Sequence, residues 1–468
     1  MADSYDVVVL GGGTGGYSCA LHAANLGLSV ALIEKDKVGG TCLHWGGIPT
    51  KAFLQAAEVA EHTRDSHHYG VQATFEGIDG ARVLEYKDGV VNANHKGLQS
   101  ELGRRGVDTI TGSGRLSGPR TVAVDTSEGQ RTIQAAKALV VATGSTPLDA
   151  PVEGAERDGD LVITSDEALY RQQAPQRPIV LGASAVGVEF ASIWQGFGAE
   201  HVAIVELENA LVPHEDVDTS KQLARDFRKA GIASHTGAKA TKVDKGDGEV
   251  AVTVDTAKGQ QTLDGDVLMV AIGRRPVTAG LGLEEAGIEL DGGFVVVDEW
   301  CRTGVEGVYA IGDILPPPSL GLAHASFQEG MLVADQVAGQ PARPIDYRGV
   351  PRVYYCHPEI GSVGYTEQEL QQQGIAYDKT VFPFSHNGRA MMMRGTGHTK
   401  VLAAKDGGRV LGVHVIGPKA TDLIAEAQLI YNWEALPTDV AEFIHPHPTL
   451  SEAVGEAHLA LAGRQLHG

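Results

Sequence analysis

"DVVVLGGGTGGYSCALHAANLGLSVALIE", Asp6 to Glu34, reads as a strand, a glycine turn, a helix and a second strand. The apolar run ahead of the glycines is short and continuous, as in a strand covered on both faces, and helical spacing begins directly after the turn. Gly11, Gly13 and Gly16 satisfy G-x-G-x-x-G, and Glu34 ends the second strand. In a βαβ unit such glycines permit the turn and bring backbone N–H groups to a pyrophosphate at the helix N-terminus, while the terminal acid meets a ribose hydroxyl. A tight turn alone would need the glycines but not the acid, so the combination points to a bound dinucleotide.

The same order returns at 178–206: "PIVLG", the turn "GASAVG", the helical run "VEFASIWQGFG" and "HVAIVE", closed by Glu206. Gly182 and Gly187 keep the outer glycines, but Ser184 stands in the middle position. That position lets backbone approach a pyrophosphate, so its side chain either bonds a phosphate or weakens the site; the sequence leaves both open. No arginine follows Glu206 in "LENALVPHED" to hold a 2′-phosphate, which favours NAD over NADP.

Composition limits the rest. At 468 residues the chain exceeds one ordinary core and suggests three or four domains. It is 43% hydrophobic and 21% charged, and no apolar run approaches the roughly 18 residues of a membrane span. No cleaved leader is expected, and a cytoplasmic location is. A net charge of −21 argues against nucleic acid and anionic membranes as partners. Four cysteines, Cys19, Cys42, Cys301 and Cys356, are too scattered for a disulfide framework.

Further along come "GGTCLHWGGIPTK" (39–51), "VVATGS" (140–145), "VAIGRRP" (270–276), "VYAIGDI" (308–314), "LAHASFQEG", "GSVGYTE" and "HPHPTLSE". With the two cradles, this ordered set resembles the pyridine nucleotide-disulfide oxidoreductases over essentially the whole chain, most closely their dihydrolipoamide dehydrogenase branch. The resemblance implies an α/β fold class: two Rossmann-like dinucleotide-binding domains plus a C-terminal α+β dimerisation domain. The implied boundaries are an FAD-binding domain at 1–150, an NAD-binding domain at 151–276, a central domain completing the FAD site at 277–345 and a dimer-interface domain at 346–468. The implied assembly is a homodimer whose active site is shared across the interface and takes a small-molecule substrate.

By the same resemblance, FAD is held by Gly11, Gly13, Gly16, Glu34, Lys51, Thr143, Gly144, Gly312 and Asp313, and by the helix N-terminus at Ala323, His324 and Ala325. NAD falls to Gly182, Gly187, Glu206 and Gly273. Asp313 is implied on the ribityl chain, and Lys51 with Glu189 as an ion pair beside the reactive flavin nitrogen. A carboxylate binds hydroxyls well, and a lysine there stabilises negative charge on the reduced ring. His447 and Glu452 are implied as the base and its orienter, and His445 reads as a structural hydrogen-bonder. The H-x-H pair lacks a third ligand at suitable spacing, so no metal site is expected.

A second departure, after Ser184, falls in the segment 39–51. Where its members carry a second cysteine, five residues after Cys42, this chain has Gly47. Without that sulfur no disulfide relay can form at this site. A trapping variant would more naturally carry Ser or Ala, since glycine inside a helix costs about 0.5–1 kcal/mol relative to alanine. Soluble transhydrogenases also lack the second cysteine, but they lack the histidine of "HPHPT" that this chain keeps. The expected function is therefore a flavoprotein dehydrogenase or oxidase that acts directly on a small, possibly thiol, substrate. The alternatives are a transhydrogenase-like or diaphorase-type NAD(P)H:acceptor reductase, an inactivated dihydrolipoamide dehydrogenase, and a non-catalytic flavin-binding partner in an assembly. Cys42 is either a lone nucleophile, its pKa lowered by a helix N-terminus, or packing.

Overall fold

Strands that read as continuous apolar runs form the centre of each nucleotide unit. The computed structural model describes residues 3–467 and divides into two compact units. One comprises residues up to Ala52, Leu84–Leu148 and Arg274–Tyr347; the other comprises Phe53–Val83, Asp149–Gly273 and Arg348 onward.

In the first unit, Asp3–Leu10 pairs in parallel with Val30–Glu34 on one side and Gly129–Val141 on the other. Asp108–Thr111 extends the sheet past Val30–Glu34, and Val308–Ala310 adds in parallel to Gly129–Val141. Val7 to Leu10 and Val30 to Ile33 are buried, the pattern of a sheet covered on both faces. The helices Thr14–Asn25 and Ala323–Val337 pack closely across one face. A β-carbon on Gly330 would stand 2.5 Å from the Gly15 carbonyl oxygen, so only glycine allows this approach. Polar pairs fix the register: Ser18 Oγ donates to the Phe327 carbonyl at 2.8 Å, and His22 Nε2 meets Asp335 at 2.7 Å. The N-terminus of Ala323–Val337 is thereby set beside that of Thr14–Asn25, with Thr14 Oγ1 and Ser326 Oγ 2.7 Å apart.

The second unit repeats the parallel core with Pro178–Leu181 between Val202–Glu206 and Val267–Val270. Its C-terminal part is an antiparallel five-stranded sheet in the order Arg352–Tyr354, Glu359–Gly364, Val410–Gly417, His398–Ala404, Tyr377–Pro383. Helix Ala420–Asn432 packs on Glu359–Gly364 and Val410–Gly417, and Glu452–Leu461 packs on Tyr377–Pro383 and His398–Ala404. Among the described residues no helix is long and apolar enough to cross a membrane.

Buried charge ties the nucleotide part of this unit to the C-terminal sheet. Lys400, on a central strand, donates to Asp216 at 2.8 Å, Asp218 at 2.7 Å and Glu367 at 2.5 Å. Burial raises the Asp216 carboxyl, but His414 and Lys400 more than reverse this and hold it at about 2. Glu367 is also raised by burial and brought to about 2 by Lys379 and Lys400. The unfolded chain therefore binds more protons than the folded one as pH falls from about 4.5 to about 2, so stability should be full above this window and lost across it. Denaturant titrations followed by circular dichroism should show midpoints falling through that range, and flat midpoints there would contradict the assigned ion pairs.

Candidate active site and nucleotide cradles

The two glycine turns are built alike. Gly11 has φ +108° and Gly182 φ +107°, a left-handed conformation in which glycine is unstrained. A β-carbon on Gly16 would lie 1.9 Å from the Gly11 carbonyl oxygen, and one on Gly187 would lie 2.0 Å from that of Gly182. Each helix therefore starts hard against its strand. Glu34 accepts from the N–H groups of Gly12 at 2.7 Å and Asp36 at 2.8 Å. Glu206 matches it, accepting from Ala183 at 2.6 Å and Glu208 at 2.8 Å. Each carboxylate oxygen keeps acceptor capacity beyond these bonds.

The middle positions differ only in side chain. Gly13 has φ −71° and Ser184 φ −79°, both ordinary for any residue. Ser184 is exposed and its hydroxyl makes no capping bond to the helix it begins. In front of Gly13 a β-carbon would meet nothing within 4 Å.

The segment 39–51 is fastened to the first turn. Gly39 N–H donates to the Gly12 carbonyl at 2.8 Å, and Gly40 lies so close that its β-carbon would stand 2.6 Å from Gly13 Cα. Cys42 lies in the short helix Gly40–His44, and helix Gly47–Asp65 follows. A β-carbon on Gly47 would lie 3.0 Å from Cys42 Sγ. In a disulfide the β-carbon of one cysteine lies about 3 Å from the sulfur of the other. Gly47 is the first residue of its helix, so the penalty expected for glycine inside a helix does not apply in full. None of the four cysteines is in a disulfide, and Cys19, Cys301 and Cys356 are buried.

The expected lowering of the Cys42 pKa by a helix N-terminus does not prevail. Burial pushes the thiol up; Lys51 and the Ile48 N–H at the helix start oppose it without overcoming it. Asp313, farther along the chain, adds to the rise.

Asp313 accepts a hydrogen bond from Ser145 Oγ at 2.5 Å, and Arg274 donates to the same hydroxyl at 2.7 Å and to the Ser145 carbonyl at 2.8 Å. Thr143 Oγ1 donates to the Val277 carbonyl at 2.6 Å. Gly144 lies between these anchors and has φ +71°. Buried Glu329 accepts from the Gly312 N–H at 2.6 Å and from Tyr347 at 2.8 Å. The sequence reading did not single out Ser145, Arg274 or Glu329, although all lie inside motifs it quoted. An acid on the inward face of an apolar helix was the available signal for Glu329.

Ala323 and His324 open helix Ala323–Val337, with Ala325 buried behind them. In the other unit, Glu189 is buried on helix Ala185–Phe197 and accepts from the Tyr355 N–H at 3.0 Å; Gly273 follows strand Val267–Val270.

His447 Nδ1 meets Glu452 Oε1 at 2.7 Å, and the other carboxylate oxygen takes the Thr449 N–H at 2.7 Å. Burial raises Glu452, but these two bonds lower it overall. The His447 side chain is 79% exposed, so its ring is oriented yet open to a partner. His445 turns away to Glu426 at 2.6 Å, a bond that raises its pKa. Among the described residues no group of three or more His, Cys, Asp or Glu is arranged to hold a metal ion.

The family model for pyridine nucleotide-disulphide oxidoreductases matches residues 5–330, and the model for their dimerisation domain matches residues 350–458. Dihydrolipoyl dehydrogenase of Bacillus subtilis is 38% identical, with all of both chains covered. Leghemoglobin reductase of Glycine max is 38% identical over 98% of this chain and 88% of its own. Among solved structures, LpdA of Mycobacterium tuberculosis has a TM-score of 0.89 at 28% identity, covering 98% of this chain and 100% of that one. The HOCl-induced flavoprotein disulfide reductase RclA of Escherichia coli, solved as a Cu(II) complex, has a TM-score of 0.86 at 26% identity over the same shares. The chain belongs to the pyridine nucleotide-disulphide oxidoreductases. It is an FAD-dependent oxidoreductase close to the dihydrolipoyl dehydrogenases, a family that uses FAD and NAD(H).

The residues present fit FAD. Open space lies before Gly13 at a helix N-terminus, and a cleft of about 360 Å³ beside Glu34 is lined by Lys37, His95, Gln99 and Thr111. Among the described residues the buried His95 Nε2 has no hydrogen-bond partner.

The cysteines allow a direct check. Alkylation of the folded protein should modify one thiol per chain, Cys42, with a pH midpoint above the usual thiol range of about 8.5. Rapid reaction at neutral pH would contradict the environment described.

Proposed function

We propose that this chain is a flavoprotein oxidoreductase that handles a small substrate, a thiol or a donor with a hydride-bearing carbon, without a cysteine pair as intermediate carrier. The observation that carries this reading is the geometry at Gly47. The backbone keeps the approach a disulfide needs, 3.0 Å from β-carbon position to sulfur, while the second sulfur is absent from the sequence. Bound FAD supplies a two-electron carrier between this substrate and NAD(H).

The remaining roles belong to the chain. His447 accepts and returns the substrate proton at Nε2, while Glu452 fixes the tautomer through Nδ1 and stabilises the charged ring. Lys51 provides positive charge for the reduced cofactor. Asp313, held by Ser145, receives ribityl hydroxyls. Gly11, Gly13, Gly16, Glu34, Thr143, Gly144, Gly312 and Ala323 to Ala325 complete the FAD site, and Gly182, Gly187, Glu206 and Gly273 the NAD site. The backbone at Ser184 matches that at Gly13, which favours NAD(H) over oxygen as the electron partner.

In this reading the four domains are 1–150, 151–276, 277–345 and 346–468, and the protein is a cytoplasmic homodimer. The exposed apolar Phe443 and Ile444, leading into the His445 to His447 loop, support a partner subunit there.

Anaerobic addition of NADH should bleach the flavin, and no reaction at millimolar NADH would sink the nicotinamide assignment. Turnover of reduced lipoamide with NAD should be negligible; a rate like that of ordinary dihydrolipoyl dehydrogenases would refute the absence of a relay. Gly47→Cys should lose two titratable thiols on oxidation, with a matching 2 Da mass loss. Once a substrate is found, His447→Gln should slow its turnover by about 10²–10⁴-fold, and an unchanged rate would remove His447 as the base.

A further inference from the structure

The segment after strand Val202–Glu206 returns to the second glycine turn before it enters the charged network of the C-terminal sheet. Val212 N–H donates to the Ala183 carbonyl at 3.0 Å, immediately before Ser184. Val212 does so at φ +43°, a left-handed conformation that a β-branched residue disfavours. Released from its surroundings, it would relax to negative φ and withdraw that N–H.

The restraint lies three and four residues on. Glu215 N–H donates to the Val212 carbonyl at 2.9 Å, and Ser220 Oγ donates to the same carbonyl at 3.3 Å. Glu215 accepts from Arg352 at 2.9 Å, Tyr354 at 3.2 Å and Ser362 at 2.5 Å. Asp216 accepts from Lys400, from the Glu367 N–H at 3.0 Å and from the Asp218 N–H at 3.0 Å. Lys400 and Asp216 are both fully buried. A buried ammonium is expensive to desolvate and is a weak device for stability alone, since apolar packing often does as well. What it adds is a single allowed position for the carboxylates it holds.

We propose that Lys400 is a positioning residue for the second nucleotide turn. By holding Asp216 and Asp218 it keeps Val212 left-handed, and Val212 in turn fixes the Ala183–Ser184 backbone that meets the dinucleotide pyrophosphate. This rests on the reading of Gly182 to Gly187 as the NAD cradle.

The test uses the FAD-loaded protein. Hydrogen exchange without nucleotide should be faster in Lys400→Met at both 212–218 and 183–188, and calorimetric NAD⁺ affinity should fall about tenfold. Bound FAD per chain should not change. Lys400→Arg should restore most of both effects, which a general loss of packing would not predict. Asp218→Asn, at a partly exposed partner, should shift both readouts less and in the same direction, and it serves if Lys400→Met does not fold. Faster exchange confined to 212–218, or unchanged NAD⁺ affinity, would overturn the proposal. Wild-type protein that binds no NAD⁺ would overturn the cradle reading and this role with it, whereas intact wild-type binding with unaltered variants would overturn the role alone.

Discussion

Each nucleotide unit depends on a steric contact that no side chain can enter: the start of the helix rests on the carbonyl of the glycine that opens the turn after the strand. Gly16 on Gly11, and Gly187 on Gly182, bring helix and sheet closer than any β-carbon allows. That contact places the first N–H groups of each helix at the turn, where their dipoles suit an anion. The acid at the end of the next strand is then drawn to the turn itself, because Glu34 and Glu206 accept from its backbone. Turn, helix and acid form one device, present twice.

The first copy also organises the chemistry around it. Gly39 and Gly40 fasten the Cys42 segment to the turn, and the close packing of Gly330 on Gly15 sets a second helix N-terminus alongside. Asp313 is held from two directions, by Ser145 directly and through Gly312 by Glu329. The site is thus a set of short chain segments locked to one turn, which suits a cofactor that must be held rigidly while substrates change. At Gly47 the same scaffold brings the β-carbon position to 3.0 Å from Cys42 Sγ.

The segment 6–34, the repeat at 178–206 and the histidine motif made the α/β class and the candidate residues legible, because each motif is local and its spacing is dictated by backbone geometry. The same holds for the His447–Glu452 pair, five residues apart across one loop. The thiol environment was less legible. A helix start next to Cys42 suggested a lowered pKa, but burial depends on what the rest of the fold packs over the sulfur, and it outweighs one N–H and one lysine. Glycine at 47 looked like a weak point inside a helix; in the fold it is the helix's first residue.

By itself the sequence determined which segments turn, which strands are covered on both faces, and which residue types are available for chemistry, including the single thiol at Cys42 without a partner at 47. Only the tertiary structure decided that the β-carbon position at 47 still points at that sulfur, that Ser184 adopts the backbone of Gly13, and that Lys400 meets carboxylates from 184 and 33 residues away. Those outcomes depend on burial and on contacts between segments remote in the chain, which local spacing does not encode.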